Sequence, residues 1–299
     1  MVSLGAALNV SVIISTYNAP AWLEKVLWGY AHQTHRDFEI IIADDGSSDD
    51  TRALIERVAP TLDQSVIHVY QRDDGFRKCR ILNKAILHAR ADYLLFTDGD
   101  CIPRADFVAS HVAKAAQGAY LSGGYCKLTL PASKAIARDD IARGDCFRVP
   151  WLLEHGHRRQ RKDLKLSADP ALAHWLNRLT TTRCNFKGSN GSAWLRDVVA
   201  VNGFDERMAY GSEDREFGVR LRNAGIDARH VRYTAICVHL DHGRSYENPD
   251  RYAWNRALRK YNEKHGVRRT EYGLVQLIQA GFQPSVVGLA TTSGLLSNA

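Results

Sequence analysis

The feature that most constrains the fold is a regular alternation of strand and helix signals over the first 125 residues of the chain. Apolar runs rich in β-branched and aromatic residues predict four buried strands, at Val10–Ser15, Phe38–Ala43, Val66–Tyr70 and Tyr93–Thr97. Apolar residues at helical spacing predict three intervening helices, at Ala21–Gln33, Thr51–Val58 and Arg77–Arg90. This order predicts an α/β fold with a doubly wound, Rossmann-like and mainly parallel sheet.

Polar residues follow three of these strands at the point where each strand ends. Ser15-Thr16-Tyr17, Asp44-Asp45 and Asp98-Gly99-Asp100 are the three segments. In open α/β sheets, ligands bind at the carboxyl ends of the strands, so these segments predict one binding site. Each motif also has a purely structural interpretation, as a helix cap for the first aspartates and as a solvated turn for the last.

The second half is less regular, and residues 130–182 contain few clear strand signals. A glycine-rich segment at Phe186–Trp194 predicts a strand with a tight turn. Further on, the pattern predicts helices at Glu213–Asn223 and Tyr252–His265, with a short strand at Ala235–Leu240 between them.

The charge is unevenly distributed along the chain. The formal net charge is +7, and residues 138–187 alone contain eleven Lys/Arg and six Asp/Glu, a local net charge of +5. We interpret this segment as contacting an anionic membrane surface or an anionic acceptor, with a solvated helical face as the alternative. Nucleic acid is not expected as a partner, because the chain has no helix-turn-helix, RNA-recognition or zinc-finger pattern.

The cysteine pattern and the first residues bear on the cellular compartment. Six cysteines occur without any C-x-x-C pair, which is typical of reduced and mostly buried thiols. The start lacks a basic region before its apolar residues, so no secretory signal is expected. We therefore expect a cytoplasmic protein, with peripheral contact at the inner face of the cell membrane as a further hypothesis; the sequence leaves the oligomeric state open.

Two motifs in the second half combine residues suited to acid–base and metal chemistry. In Gly211-Ser-Glu-Asp214, two adjacent carboxylates cannot share one helix face, so one can bind while the other acts as a base. His239-x-x-His242 leaves a strand, and imidazoles are good ligands for Mn²⁺, Zn²⁺ or Fe²⁺. The structural alternatives are first-turn acids stabilised by the helix dipole, and ordinary packed histidines.

Two further groups are candidates for substrate contact. Arg77 lies at a predicted helix start, and Arg80 follows one turn later. A basic side chain beside the positive end of a helix is suited to bind a diphosphate. Trp194 and Tyr210 flank the glycine-rich and Glu-Asp segments and are candidates for a sugar-stacking surface. Solvated arginines and core aromatic residues are the alternatives.

Taken together, these segments resemble an inverting glycosyltransferase of the GT-A fold, in the large family 2. The similarity is carried by Val10–Asn18 for the opening strand, Ala43–Asp49 for the second signature and Asp98-Gly-Asp100 for the D-x-D metal motif. Later segments resemble the acceptor side of the β1,4-galactosyltransferase and chondroitin-polymerase group: Phe186-Lys-Gly-Ser-Asn190, Asn202-Gly-Phe-Asp205, Gly211-Ser-Glu-Asp214 and His239-x-x-His242.

The resemblance implies a role for each matching residue. Donor contacts are implied for Ser15, Tyr17 and Asp45 with the uridine, for Arg77 with the diphosphate, and for Asp98 with the ribose or donor sugar. It also implies metal ligation by Asp100 and His242, with His239 able to ligate as well. Asp214 would be the catalytic base, with Glu213 beside it binding hydroxyls of acceptor or donor. Arg215 and Glu216 depart from the galactosyltransferase pattern, where further acids are usual, and this leaves both sugars open.

The implied activity is a metal-dependent transfer from a UDP-sugar of the Gal, GalNAc, Glc or GlcNAc type. Mn²⁺ or Mg²⁺ is the implied cation, and the acceptor is a hydroxyl of a glycan or of a lipid-linked acceptor in bacterial surface polysaccharide or lipopolysaccharide synthesis. We expect residues 1–125 to be the nucleotide-sugar half, 126–270 the acceptor-binding and catalytic half, and 271–299 a tail.

Two other functions fit parts of the sequence. A nucleotidyltransferase shares the sheet and the paired carboxylates, but it normally has a glycine-rich phosphate loop with a lysine near the first strand, and this sequence has none. A non-catalytic nucleotide-sugar-binding module is the second alternative, and the joint retention of Asp45, Asp100, Asp214 and His242 argues against it.

Overall fold

The computed structural model describes residues 8–243 and 248–283 of the chain. Its centre is a seven-stranded sheet in the order β3-β2-β1-β4-β8-β6-β9, next to a three-stranded sheet in the order β5-β10-β7. The strands are β1 Val10–Thr16, β2 Phe38–Asp44, β3 Val66–Tyr70, β4 Tyr93–Asp98, β5 Cys101–Pro103, β6 Ala119–Ser122, β7 Gly124–Lys127, β8 Asn190–Trp194, β9 Asp227–His230 and β10 Ile236–His239.

Helices cover both faces of the large sheet and fill the segment between its strands β6 and β8. The helices are α1 Pro20–Ala31, α2 Asp49–Val58, α3 Lys78–His88, α4 Phe107–Val112, α5 Leu130–Ala135, α6 Arg138–Arg143, α7 Val149–Glu154, α8 Leu164–Ser167, α9 Pro170–Leu179, α10 Leu195–Ala200, α11 Glu213–Asn223, α12 Pro249–Lys264 and α13 Leu274–Gln279. The four strands and three helices predicted in the first half are confirmed, with ends shifted by at most two residues.

Two hydrophobic cores lie on opposite faces of the sheet. Alternate residues of β1 show why: Val12 and Ile14 belong to the core that contains α1 and α2 residues, whereas Ile13 belongs to the core beneath α3. Successive side chains of a strand point to opposite faces, so a strand covered on both sides reads as a continuous apolar run. The doubly wound prediction is thereby confirmed, and only β8 runs against the other six strands of the sheet.

Strand register aligns the polar residues that follow the strands. Ser15 of β1 lies opposite Asp98 of β4, and Thr16 lies opposite Asp44 of β2. The small sheet continues this edge, because Cys101 of β5 pairs with His239 of β10. Asp100, one residue before Cys101, is therefore held beside the histidine motif, which lies about 140 residues later in the sequence.

The remaining elements frame this edge of the sheet. Residues 130–182 form helices, as their lack of strand signals suggested, and α11 begins at Glu213 as predicted. Five of the six cysteines are buried, in agreement with their predicted role as packed thiols. Among the residues that the structure describes, no helix is both long and apolar enough to span a lipid bilayer.

Candidate active site

A cavity of about 1260 Å³ opens at the carboxyl ends of β1 and β4. Its wall also includes the start of α11, the loop before β8 and the segment after β10. Ten residues predicted for the site line it: Ser15, Tyr17, Asp45, Asp98, Asp100, Tyr210, Glu213, Asp214, His239 and His242.

Asp45 is held at one end of the cavity by two hydrogen bonds. Its Oδ1 accepts from Gln71 Nε2 at 2.6 Å, and its Oδ2 accepts from the Arg77 backbone N–H at 2.9 Å. Burial raises the pKa of Asp45 to about 6, against the effect of these hydrogen bonds. The neighbouring Asp44 faces away, accepting from Ser47 N–H and from His68, so Asp45 is the carboxylate that faces the cavity.

Ser15 and Asp98 form the floor of the cavity together with a lysine. The Asp98 Oδ1 atom accepts from Ser15 Oγ at 2.8 Å and from Lys78 Nζ at 2.5 Å. Burial opposes the charge of Lys78, but the carboxylates of Asp98, Glu213 and Asp100 outweigh it and raise the pKa of Lys78 above its ordinary value. Lys78 is therefore the cation that neutralises the acidic floor.

Tyr17 lies at the rim, where 46% of its surface is exposed. Its hydroxyl donates to Asp73 Oδ2 at 3.0 Å, which fixes the ring over the cavity entrance. This hydrogen bond is the main cause of the raised pKa of Tyr17. An exposed aromatic face held in this way suits stacking against a planar base.

Asp100 and the two histidines form a compact set of candidate metal ligands. Asp100 Oδ2 lies 2.8 Å from His242 Nε2 and 3.6 Å from His239 Nε2, and the two rings stack with centroids 5.4 Å apart. Burial raises the pKa of Asp100, but the hydrogen bond from His242 and the charges of both imidazoles outweigh it, so the pKa falls below its usual value.

The hydrogen bonds of the histidines determine which nitrogen atoms face Asp100. His239 Nδ1 donates to the Leu240 carbonyl at 2.7 Å, and His242 Nδ1 donates to the Gly243 carbonyl at 2.7 Å. A carbonyl can only accept, so the Nδ1 atom of each ring carries a proton, and Nε2 is the nitrogen atom that faces Asp100. His242 Nε2 donates to Asp100 here, and a bound cation would take the place of that proton. One carboxylate and two such imidazoles fit a divalent transition-metal ion, with the Nδ1 hydrogen bonds as outer-shell support.

Glu213 and Asp214 open α11 on the opposite wall of the cavity. Glu213 Oε2 accepts from the Gly211 N–H at 2.8 Å, whereas Asp214 Oδ1 accepts from the Arg215 N–H at 2.7 Å. Burial and the neighbouring Asp214 charge raise the pKa of Glu213 to about 7. Burial also raises the pKa of Asp214, opposed by Lys78. The pair therefore combines a partly protonated acid with a carboxylate of increased basicity.

The turn before α11 sets the position of this pair. Gly211 has φ +100°, and a Cβ atom there would overlap the Tyr252 ring of α12. Ser212 also has a positive φ, of 74°. Such backbone values are uncommon outside glycine, and they cluster where a side chain must be aimed at a site. Tyr210, just before this turn, lines the cavity and packs edge-on against Phe76.

Two sequence predictions are not supported by the geometry. Arg77 pairs with Asp74 and does not line the cavity; Lys78, one residue later along α3, points into it instead. Trp194 pairs with Tyr93 at the amino end of β4, because β8 runs antiparallel to β4. Its indole N–H donates to the Ala116 carbonyl at 2.8 Å, so Trp194 is a packing residue away from the cavity and not a sugar platform.

Three further basic residues at the site were missed by the sequence analysis. Lys78 was adjacent to the predicted Arg77, and only the phase of α3 distinguishes them. Lys187 and Arg232 also line the cavity. Lys187 lies in the Phe186–Asn190 segment that carries the resemblance and ends the basic segment 138–187, but neither signal assigned it a role, and nothing in the sequence pointed to Arg232.

The chain is similar in sequence to several known proteins, of which three are described here. The chain is 25% identical over 253 residues to a chondroitin synthase of Escherichia coli (82% of this chain, 36% of that protein). It is 30% identical over 251 residues to a validoxylamine A glucosyltransferase of Streptomyces hygroscopicus (80% and 57%). A hyaluronan synthase of Pasteurella multocida is 26% identical over 225 residues (73% and 23%). The chain thus spans between about a quarter and three fifths of these relatives.

Solved structures show the same fold. The mannosyltransferase PcManGT of Pyrobaculum calidifontis, in complex with GDP-Man and Mn²⁺, matches with a TM-score of 0.55 at 17% identity, covering 99% of this chain and 82% of that one. TarS 1–349 of S. aureus, in complex with UDP-GlcNAc, matches with a TM-score of 0.57 at 15% identity, covering 87% and 69%. The predicted GT-A fold is thereby confirmed.

The family follows from the match to a sequence model. The model of the glycosyl transferase family 2 matches residues 11–166, which is just over half of the chain. These residues include Ser15 and Asp98, at the ends of β1 and β4, together with Asp45 just after β2 and Asp100 just before β5. The relatives named above are themselves glycosyltransferases or polysaccharide synthases. The chain therefore belongs to glycosyltransferase family 2.

Proposed function

We propose that the chain transfers a sugar from a UDP-sugar to an acceptor hydroxyl, with inversion at the anomeric carbon and with the help of a divalent cation. The observation that supports this most is that one cavity contains both a metal-type ligand set, Asp100 with His239 and His242, and a buried carboxylate pair, Glu213 and Asp214. A leaving group held by the first and a nucleophile activated by the second would meet within this space.

The donor would occupy the end of the cavity formed by β1, β2 and β4. Asp45 has carboxylate oxygens suited to accept from a base N–H or a ribose hydroxyl, and Tyr17 offers its ring to the base. Ser15 holds Asp98, which is placed for the ribose or the donor sugar. Lys78 supplies positive charge beside the diphosphate, in place of the predicted Arg77. The neighbours complexed with UDP-GlcNAc and GDP-Man support a nucleotide sugar as the donor class.

Asp100, His242 and His239 would hold the cation, through one carboxylate oxygen and the two Nε2 atoms. When bound, Mn²⁺ or Mg²⁺ supplies Lewis-acid neutralisation of the charge on the departing diphosphate. The neighbour crystallised with Mn²⁺ supports this choice of metal.

Asp214 is the proposed base. Its carboxylate would accept the proton of the acceptor hydroxyl while that oxygen forms a bond to the anomeric carbon and the bond to UDP breaks on the opposite face. An α-linked donor then gives a β-glycoside, and UDP leaves with the electron pair of the broken bond. Glu213, with its pKa near 7, can donate a hydrogen bond to a sugar hydroxyl, and Tyr210 provides an aromatic wall beside it.

We assign residues 1–125 to the donor half and 126–270 to the acceptor half. Of the predicted tail 271–299, helix α13 packs Leu274 and Val275 into the core beneath α3, and residues 284–299 lie outside the described part of the chain. The acceptor class is a glycan or lipid-linked hydroxyl in bacterial surface polysaccharide or lipopolysaccharide synthesis, and the bacterial polysaccharide synthases among the relatives support it. The family match favours this transfer over nucleotidyl transfer.

We also propose a cytoplasmic protein with peripheral contact to an anionic membrane. Helix α9 supports it: Leu172, Trp175 and Leu179 are exposed by 42%, 59% and 68% and lie on one helical face. Arg178 stacks near Trp175 in the same basic segment. Co-sedimentation with anionic vesicles should fall for Trp175→Ala, and equal sedimentation of both proteins at every salt concentration would contradict the contact.

A panel of UDP-sugars tests the main proposal. UDP release, with water or simple glycans as acceptors, should occur for one or a few UDP-sugars and should stop when EDTA removes the cation. Release that is indifferent to EDTA would contradict the metal role. UDP binding without any release for the whole panel would favour the non-catalytic binding module.

A further inference from the structure

Three basic side chains from separate parts of the chain converge on the acceptor side of the cavity. Lys165 comes from α8, Lys187 from the loop before β8, and Arg232 from the segment after β9. Lys165 Nζ donates to the Tyr125 carbonyl at 3.0 Å, and Lys187 Nζ lies 5.6 Å from the centre of the Tyr125 ring. Gly124 permits this approach, since a Cβ atom there would lie 2.8 Å from Lys165 Nζ and 3.7 Å from Arg232 Cβ.

The contacts made by this cluster do not neutralise it. Arg232 Nη1 donates to Thr182 Oγ1 at 2.8 Å, and the other contacts are to the Tyr125 carbonyl and to the Tyr125 and Tyr233 rings. Within residues 8–243 and 248–283, no carboxylate oxygen lies within 4.0 Å of the charged nitrogen atoms of the three side chains. Lys165 is nevertheless only 5% exposed.

Such an arrangement is costly without an anion. Burial, together with the charges of Lys187 and Arg232, lowers the pKa of Lys165 to about 8, and burial with Arg232 also lowers the pKa of Lys187. Buried charges are normally paired, and clustered cations are the usual means of binding phosphate or carboxylate groups. Asp214 acts on Lys187 only from beyond ion-pair distance, so the cluster retains positive charge that suits a further anion.

The position of the cluster relates it to the acceptor. Lys187 precedes Gly188, whose N–H lies 3.4 Å from Asp214 Oδ2, the proposed base. On the other side, the Tyr125 ring lies 4.8 Å from the His239 ring. In the function proposed above, the donor diphosphate lies on the Asp100 side of the cavity. An anion beside Lys187 is thus a neighbour of the hydroxyl that Asp214 deprotonates.

We propose that Lys165, Lys187 and Arg232 form a subsite for a phosphate or carboxylate group of the acceptor substrate. The proposal rests on the glycosyltransferase function proposed above, and it narrows the acceptor class to an anionic glycan or a phosphate-bearing carrier. Lys187 and Arg232 line the cavity and contact the anion, while Lys165 lies beneath them and adds its charge.

Binding of small probe pairs tests the subsite. Glycerol 3-phosphate and glucuronate are titrated against glycerol and glucose at pH 7 and low salt by calorimetry, with wild type, Lys187→Gln and Arg232→Gln. Arg161→Gln is the matched control, since it removes an exposed charge from the same basic segment outside the cavity lining. We expect only the anionic probes to bind, and each cavity variant to weaken them at least about five-fold, with the control unchanged.

Different outcomes separate the possible errors. Equal binding of neutral and anionic probes, or equal weakening in the Arg161→Gln control, would overturn the subsite. A second outcome would assign the anion to the donor. UDP-glucuronate would bind more tightly than UDP-glucose, Lys187→Gln would abolish that difference, and the small anions would compete with UDP-glucuronate. The acceptor assignment would then be wrong. If UDP fails to bind while the anionic probes behave as expected, the proposed function fails and the anion site stands.

Discussion

Replacing Lys78 with methionine tests the electrostatic account of the cavity floor. Lys78 Nζ lies 2.5 Å from Asp98 Oδ1, and the two side chains are only 19% and 23% exposed. Removing one partner of a fully buried ion pair costs about 3–5 kcal/mol. This pair is partly solvated, so its loss should cost less than that. We expect Lys78→Met to lower the free energy of unfolding by about 2–3 kcal/mol. For a chain of this size, this corresponds to a decrease in Tm of roughly 3–5 °C.

The same change should weaken the donor site, since Asp98 and Asp100 would face the diphosphate without their internal cation. Calorimetric titration of UDP with Mn²⁺ present should show a loss of affinity of at least about ten-fold, or 1.4 kcal/mol. Urea denaturation of Lys78→Met, of Asp98→Asn, of the double variant Lys78→Met with Asp98→Asn, and of the surface control Lys114→Met completes the design. Removing both partners should recover most of the lost stability.

Two results would refute this reasoning. One is Lys78→Met having the same stability and UDP affinity as Lys114→Met. The other is a double variant that is as unstable as the sum of the two single variants, which would show that Lys78 and Asp98 do not interact.

Three other predictions follow from the site. His242→Ala should weaken Mn²⁺ binding at least ten-fold by calorimetry, as expected for loss of a direct ligand, whereas unchanged affinity would remove it from the metal site. The pKa of Glu213 is raised from 4.5 to about 7 in the folded protein, and that of Asp45 from 3.8 to about 6. Between about pH 4 and pH 7, these two groups therefore bind more protons in the folded protein than in the unfolded chain. Stability should therefore fall as pH rises from about 4 to 7, and Glu213→Gln should flatten the slope in urea titrations; an identical slope would contradict the shift. Gly211→Ala should lower both Tm and transfer rate, since the φ of +100° is unfavourable for alanine and the nearby Tyr252 ring leaves no room for a methyl group. Gly225→Ala is the control, because Gly225 has φ +87° with open space around it. It should lower Tm less and leave transfer unchanged.

The sequence predicted the first half of the fold well because its strands are buried on both faces. The runs that became β1, β2 and β4 are mostly apolar and almost wholly buried, and the polar and acidic residues at their ends place the site. In contrast, β9 is the polar segment Asp227–His230, which is extended because it pairs with β6. No local pattern distinguishes such a strand from a loop, so the edge of the sheet was not predicted.

The site was predictable where a residue's role follows from the end of a strand or the start of a helix. Asp45, Asp100 and Asp214 lie at such points, and all three line the cavity. The prediction for Trp194 was wrong because the direction of β8 depends on tertiary packing. β8 is antiparallel to β4, so its last residue lies at the amino end of β4, away from the cavity. Lys187 and Arg232 converge only after β8 and β9 are packed, so sequence patterns do not reveal them.

Asp214 is the proposed base of a metal-dependent sugar transfer in this cavity. The most direct test measures UDP affinity with Mn²⁺ and the rate of transfer from the preferred UDP-sugar, both in Asp214→Asn and in wild type. For Asp214→Asn we expect UDP affinity within about two-fold of wild type, together with a transfer rate reduced by at least about 10²-fold. Transfer at the wild-type rate in Asp214→Asn would contradict this assignment.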